Sequence, residues 1–342
     1  MSDTATPNPR PPRLVSAWLF AVTGFLVAMI VVGGATRLTD SGLSITEWKP
    51  VSGILPPLNA DAWQTEFQHY QKIPEYRLQN RGMSLARFKG IFWWEWSHRL
   101  LGRLIGFVVL IPLLIFAARR QIPPWLGRRL IVLLGLGALQ GGIGWWMVSS
   151  GLGGLGERLD VTATRLAVHM GMALVILGIS FWTALDARAG GPVRGHPRPL
   201  ALGFVGAVWG QAVLGALVAG NDGGYVNNTW PLMDGGLVPH GYGALAPLWR
   251  NWLENPAAAQ FDHRIGAYLV FIYAMVMMVR AWRSGNQGFA RATLVVAALV
   301  SAQLVLGIWT VLMVTPLALG LTHQALGVMV FLSAVNLARL RR

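Results

Sequence analysis

Glu95-Trp96-Ser97-His98-Arg99-Leu100-Leu101-Gly102 returns later in the chain as Gln260-Phe261-Asp262-His263-Arg264-Ile265-Gly266-Ala267. Both stretches run into apolar segments of about 20 residues, the length a helix needs to cross the hydrocarbon core of a bilayer. Working outward, further elements recur in the same order. Gln140, Gly144 and Trp146 have the spacing of Gln303, Gly307 and Trp309, His169 answers to His323, and Trp48-Lys49-Pro50 is echoed by Trp230-Pro231. Matched elements in a fixed order point to duplication of one unit.

Eight apolar segments carry these elements: 16–36, 92–117, 128–149, 162–184, 199–219, 260–280, 290–314 and 318–338. The fold expected is an all-α integral membrane protein of eight transmembrane helices, arranged as two parallel-repeat four-helix bundles. An N-terminal tail spans 1–15, a first half 16–190 with a long loop at 37–91, and a second half 191–342 with a loop at 220–259. Ala60–Gln71 reads as a surface helix within the first loop. The run after the tail has no small-residue cleavage signal and reads as a retained helix.

Composition agrees: of 342 residues, 54% are hydrophobic and 12% charged, and the mean hydropathy is +0.49. A net charge of +14 in a soluble protein would suggest nucleic acid,. Here Arg10, Arg13, Arg119, Arg120, Arg128, Arg129, Arg188, Arg194, Arg198, Arg280, Arg283, Arg291, Arg339, Arg341 and Arg342 cluster between alternate segments, and the first loop, which also carries Lys and Arg, is long and acidic, where the charge rule weakens,. That asymmetry predicts cytoplasmic termini and membrane lipid, not nucleic acid, as the surroundings.

The chain has no cysteine, which excludes disulfides, iron–sulfur clusters and thiolate ligation,. Seven histidines remain as soft-metal ligands,. His98, His169, His263 and His323 fall within the segments, each within about two turns of the loop side, whereas His69, His196 and His240 fall in loops. A single intramembrane histidine is adequately explained by interhelical hydrogen bonding. Four in duplicated register, each followed at i+4 by Gly102, Ala173, Ala267 or Gly327, point to a flat macrocycle with two axial ligands, a haem in each half,. Arg99, Arg264 and Arg165 are placed near enough for propionates.

The halves differ at one charged position. Glu95 stands three residues before His98, where the second half has Gln260 before His263. Glu95 either stabilises charge or moves protons at a reactive haem, or pairs with Arg37 or Arg99 and locks its helix. Trp93, Trp94 and Trp96 fit a pocket wall or an interfacial belt. Three readings stay open on the residues alone: an enzyme acting on one haem, a di-haem b-type cytochrome fed by a quinol, or a transporter.

Together with Gly34-Ala35-Thr36-Arg37-Leu38-Thr39-Asp40-Ser41-Gly42-Leu43-Ser44 and Thr322-His323-Gln324, these motifs make nearly the whole chain resemble haem A synthase, in its cysteine-free bacterial and mitochondrial type. The resemblance implies an oxidoreductase of the bacterial inner membrane, with haem sites toward the periplasm. It would oxidise the C8 methyl of haem O to a formyl group by successive hydroxylations, giving haem A for cytochrome oxidase. His263 and His323 would ligate a resident haem b with Arg264 beside it. His98 and His169 would flank the iron of the substrate haem, assisted by Glu95. Haem O synthase and cytochrome oxidase assembly factors are implied partners, and a homo-oligomer is compatible with this reading.

Overall fold

The computed structural model describes residues 11–153, 159–193, 195 and 198–340. Most of the N-terminal tail, together with Arg10, Arg194, His196, Arg341 and Arg342, lies outside them. Helices α1 (Arg13–Leu38), α2 (Ala60–Tyr70), α3 (Pro74–Leu78), α4 (Leu85–Ala118), α5 (Pro124–Ser149) and α6 (Ala163–Arg188) come first. They are followed by α7 (Pro199–Gly220), α8 (Asn251–Glu254), α9 (Pro256–Arg283), α10 (Gln287–Leu312) and α11 (Leu317–Arg339). Eight of these, from 22 to 34 residues long, are apolar and long enough to span a membrane,. The protein is a multi-pass membrane protein.

Local chemistry sets where the helices start. Proline occupies the first turn of α5, α7 and α9, where a missing N–H costs nothing,. Asn255 caps α9 by accepting from the amides of Ala257 and Ala258, and Asn286 caps α10 through Phe289 N at 3.0 Å,. Ser84 Oγ accepts from Arg87 N, so α4 begins at Leu85, two turns before the apolar run at 92. His98 therefore lies about three and a half turns into its helix, not two. The other three histidines lie within about two turns of their helix starts,.

In the first loop α2 forms as expected, and α3 follows it. Trp63, Phe67 and Tyr70 pack with Leu43, Ile45, Phe88 and Phe92 into an apolar layer on this face, called the loop face below. Trp93 stacks edge-on against Trp63 and Trp96, so these indoles belong to that layer. The opposite face carries Arg13, Arg119, Arg120, Arg128, Arg129, Arg188, Arg198, Arg280, Arg283, Arg291 and Arg339.

Among the spanning helices, α1 packs on α4, α6 and α11, and α5 packs on α6. In the second half α7, α9, α10 and α11 form a closed ring, each packed on two neighbours. The halves meet where Leu174 and Leu177 of α6 and Ile30 of α1 join Phe204, Val208, Phe331 and Val335. Gly178 lets Phe331 close against α6. Ion pairs tie both ends of this seam: Arg37 reaches Asp222 at 2.7 Å on the loop face, and buried Asp186 receives Arg129 at 2.7 Å and Arg339 at 2.8 Å on the other.

Candidate haem-binding histidines

Each spanning histidine is seated against a glycine of the preceding long helix. A β-carbon on Gly33, Gly144, Gly215 or Gly307 would lie 2.9, 3.0, 3.0 or 2.9 Å from Cε1 of His98, His169, His263 or His323 respectively. At Gly33 and Gly307 a β-carbon would come closer than real ones do, and at Gly144 and Gly215 the imidazole would have to give by a few tenths of an ångström, so all four glycines let imidazole and backbone meet,. The structural unit is thus a helix pair repeated four times, finer than the two halves read from sequence.

Three of the four pairs add a second restraint, one turn before the glycine. Gln140 Nε2 lies 3.1 Å from His169 Nδ1 and donates to the His169 carbonyl at 3.0 Å. Gln211 does the same to His263, at 3.0 and 2.8 Å, and Gln303 to His323, at 3.3 Å from Nε2 and 2.9 Å to the carbonyl. These glutamines restrain the histidines; in the sequence Gln140 and Gln303 stand out only for their matched spacing, and Gln211 does not stand out. The signal was Gln-x-x-x-Gly in three alternate spans. In α1 the same register holds Met29, and His98 has no side-chain hydrogen bond among the described residues.

Two of the small residues after the histidines also make room for a neighbouring side chain. A β-carbon on Gly102 would meet Met29, and one on Gly327 would meet Gln303. In α9 it is Gly266, not Ala267, that makes room for Gln211. Gly102, Gly327 and Gly266 admit Met29, Gln303 and Gln211 of the neighbouring helix, so their small size does not by itself argue for a macrocycle.

The separation of the rings does. His263 and His323 stand with ring centroids 6.4 Å apart and planes inclined at 73°. Two imidazoles that each bind one iron through nitrogen at ~2 Å place their centroids about 6 Å apart. The pair is too far apart to touch and close enough to share an iron. His98 and His169 are likewise electrostatic neighbours. All four rings are partly exposed.

Residues 16–335 match the family described as cytochrome oxidase assembly protein. A relative named "Heme A synthase" from Caulobacter sp. (strain K31) is 51% identical over 336 residues, covering 96% of this chain and 97% of the relative. Others of that name, from Maricaulis maris (strain MCS10) and Brucella ovis, are 47% and 48% identical, covering 95% and 96% of this chain and 95% and 92% of their own lengths. The chain belongs to the haem A synthase family.

In this member of the family the charged difference between the halves has a defined geometry. Glu95 is buried and fully paired: Ser44 Oγ and Ile45 N both donate to Oε2 at 2.7 Å, and Arg99 donates to Oε1 through Nε at 3.1 Å and Nη2 at 2.6 Å. Its partner is Arg99. Arg37 instead faces Asp40, Asp160 and Asp222. Gln260 occupies the matching place, accepting from Arg264 at 3.0 Å and donating to the carbonyls of Gly223 and Val226. Both residues fasten the loop beyond α1 or α7 to the histidine helix. The carboxylate does so by accepting, the carboxamide by donating as well.

The arginines proposed for propionates are largely engaged. Arg99 donates to the carbonyls of Ile45 and Glu47, Arg264 to those of Asn227 and Thr229, and Arg165 to Trp146 O while stacking on its indole. His240 is exposed. His69 lies in α2, half-buried beside Glu47 and Glu66, where the Lys49 ammonium lies 3.0 Å from Glu66 and pairs with both carboxylates.

Proposed function

We propose that this protein is a haem A synthase that oxidises the C8 methyl group of haem O to a formyl group. The observation that carries this reading is the 6.4 Å separation of His263 and His323 within a chain of this family. His263 and His323 hold a resident haem b, and His98 and His169 flank the iron of haem O. When bound, the resident haem supplies one-electron redox capacity, a relay for electrons leaving the substrate.

The chain's own residues supply positioning. Gly215 and Gly307 bring the two imidazoles to backbone contact, and Gln211 and Gln303 fix their orientation,. Arg264 holds Asn227–Thr229 beside His263. Glu95 accepts from four donors one turn from His98 and anchors Ser44–Glu47 through Arg99. That saturation favours charge stabilisation and positioning over proton transfer.

The arginine clusters between alternate spans favour cytoplasmic termini with the loop face in the periplasm, and in this reading the protein sits in the bacterial inner membrane with its haem sites toward the periplasmic side. Haem O synthase and cytochrome oxidase assembly factors are the partners this activity requires.

The deciding experiment is chromatography of haems extracted from cells that make haem O, with and without this protein. Haem A must appear only with the intact chain; unchanged haem O alongside two full-occupancy b haems would make it a di-haem cytochrome. His263→Ala or His323→Ala removes the resident haem b, whereas His98→Ala leaves it bound. Glu95→Gln keeps the resident haem and loses haem A formation.

A further inference from the structure

The two halves differ in one respect that neither ligand set explains. In the second half α9 and α10 pack along each other; their counterparts α4 and α5 do not. The residues at matching levels of the two helix pairs differ as well. From the histidine level toward the middle of the membrane, α4 presents Gly106 two turns beyond His98, and α5 presents Gly141 and Gly137 beyond Gly144. All three are exposed, and a β-carbon on any of them would meet nothing within 4 Å. In the second half the matching positions are Phe271, Leu304 and Val300, the first two half-buried and the last buried in the core.

The gap is spanned at one end and joined at the other. On the loop face Arg99 and Arg103 of α4 grip the carbonyls of Ile45, Glu47, Lys49 and Pro50, and Trp48 of the same segment stacks on Trp145 of α5, centroids 5.5 Å apart. In the second half the corresponding Trp230 stays on its own side, bonded to Tyr268 of α9. At the far end a short turn joins α4 to α5, and Phe116 packs with Trp125 and Leu126. Between these two ends α4 and α5 do not pack along each other.

We propose that the gap between α4 and α5 is the lateral opening through which haem O reaches His98 and His169 from the bilayer. The proposal rests on the synthase reading above, and its occupant follows from continuity with that site. A porphyrin bearing a long isoprenoid tail is drawn from lipid, because each apolar methylene exposed to water costs about 0.8 kcal/mol. The glycine walls leave a slot for the tail while the ring lies between the histidines. A resident haem is not exchanged at each turnover, and the closed ring of α7, α9, α10 and α11 suits that.

The test transplants the closed half's residues: Gly137→Val with Gly141→Leu, in protein reconstituted into lipid nanodiscs and holding its resident haem. Uptake of haem O, followed by absorbance, slows by about tenfold, equivalent to about 1.4 kcal/mol in the barrier, while the resident haem spectrum and the melting temperature stay unchanged. Because the chain has no cysteine, Gly141→Cys gives a second measurement independent of the double variant. Haem O must protect that single thiol from a lipophilic maleimide. Wild-type uptake by the double variant with its resident haem intact, or an unprotected thiol, overturns the opening while leaving the synthase reading in place. A wild-type protein that neither binds nor converts haem O overturns both.

Discussion

Gly307 lies against His323 so closely that one added methyl group would have to displace the imidazole or the helix. Overpacking of that kind costs about 1–3 kcal/mol. Gly307→Ala therefore lowers resident haem affinity by about tenfold or more, read as haem per protein after dialysis against a haem-binding competitor. Gly24→Ala, in the same kind of apolar helix but with open space around it, leaves haem content unchanged. Met29 poses the opposite question, since it stands where three other helices place a glutamine and leaves His98 the least restrained of the four. Met29→Gln supplies the missing carboxamide. In a His263→Ala background, which strips the resident site, this substitution raises the haem retained by the first half and slows haem A formation in the otherwise intact protein. Unaltered haem retention would show that His98 is restrained by other means.

At the scale of elements, the eight spans were legible because lipid selects long uncharged runs whatever the packing. The surface helix α2 was legible because Asn59 caps it and the apolar residues Trp63, Phe67 and Tyr70 recur on one face. The start of α4 was not, since its first two turns carry Arg87 and Lys89 and form through the Ser84 cap and packing of Phe88 and Phe92 into the loop-face layer. The partner of Glu95 was ambiguous for a related reason: Arg99 lies one turn away on the same helix and Arg37 at the end of α1, and only the folded path of Ser41–Glu47 decides. The gap between α4 and α5 was written as glycine against Val300, Leu304 and Phe271, but a glycine does not reveal which face it presents. The loop-face layer also has its own pH response. Glu75, beside the hydroxyl of Tyr70 and the carboxamide of Asn80, is pushed up by burial from an ordinary value of 4.5 to about 8. The folded state holds this proton more tightly than the unfolded chain, so the layer is most stable below pH 4.5, loses stability as pH rises, and flattens above about 8,. Glu75→Gln removes this dependence: protease resistance of the 41–90 segment in the variant gains on the wild type between pH 5 and pH 9.

For the whole molecule, the two ends of the seam between halves are held with different strength, and burial decides which. Asp222 on the loop face is 55% exposed, so its bond to Arg37 is screened and contributes at most about 1 kcal/mol,. Asp186 is fully buried and satisfies one arginine from α5 and one from α11, and thus joins the first half to the last helix of the second. Removing one member of a buried pair costs about 3–5 kcal/mol, because the remaining charge stays desolvated. With Arg129 31% exposed, the lower end of that range applies. Asp186→Ala lowers the melting temperature in detergent substantially, whereas Asp222→Ala shifts it little. Asp186→Asn, which keeps one acceptor, falls between them. Function should follow the same order. Each half builds its histidine pair from its own helices, so loosening the seam leaves the His263–His323 pair intact while disturbing its distance from His98 and His169. Asp186→Ala protein at a permissive temperature therefore retains resident haem but loses haem A formation. Parallel loss of both would mean that the halves depend on each other for folding and not only for communication between their haem sites.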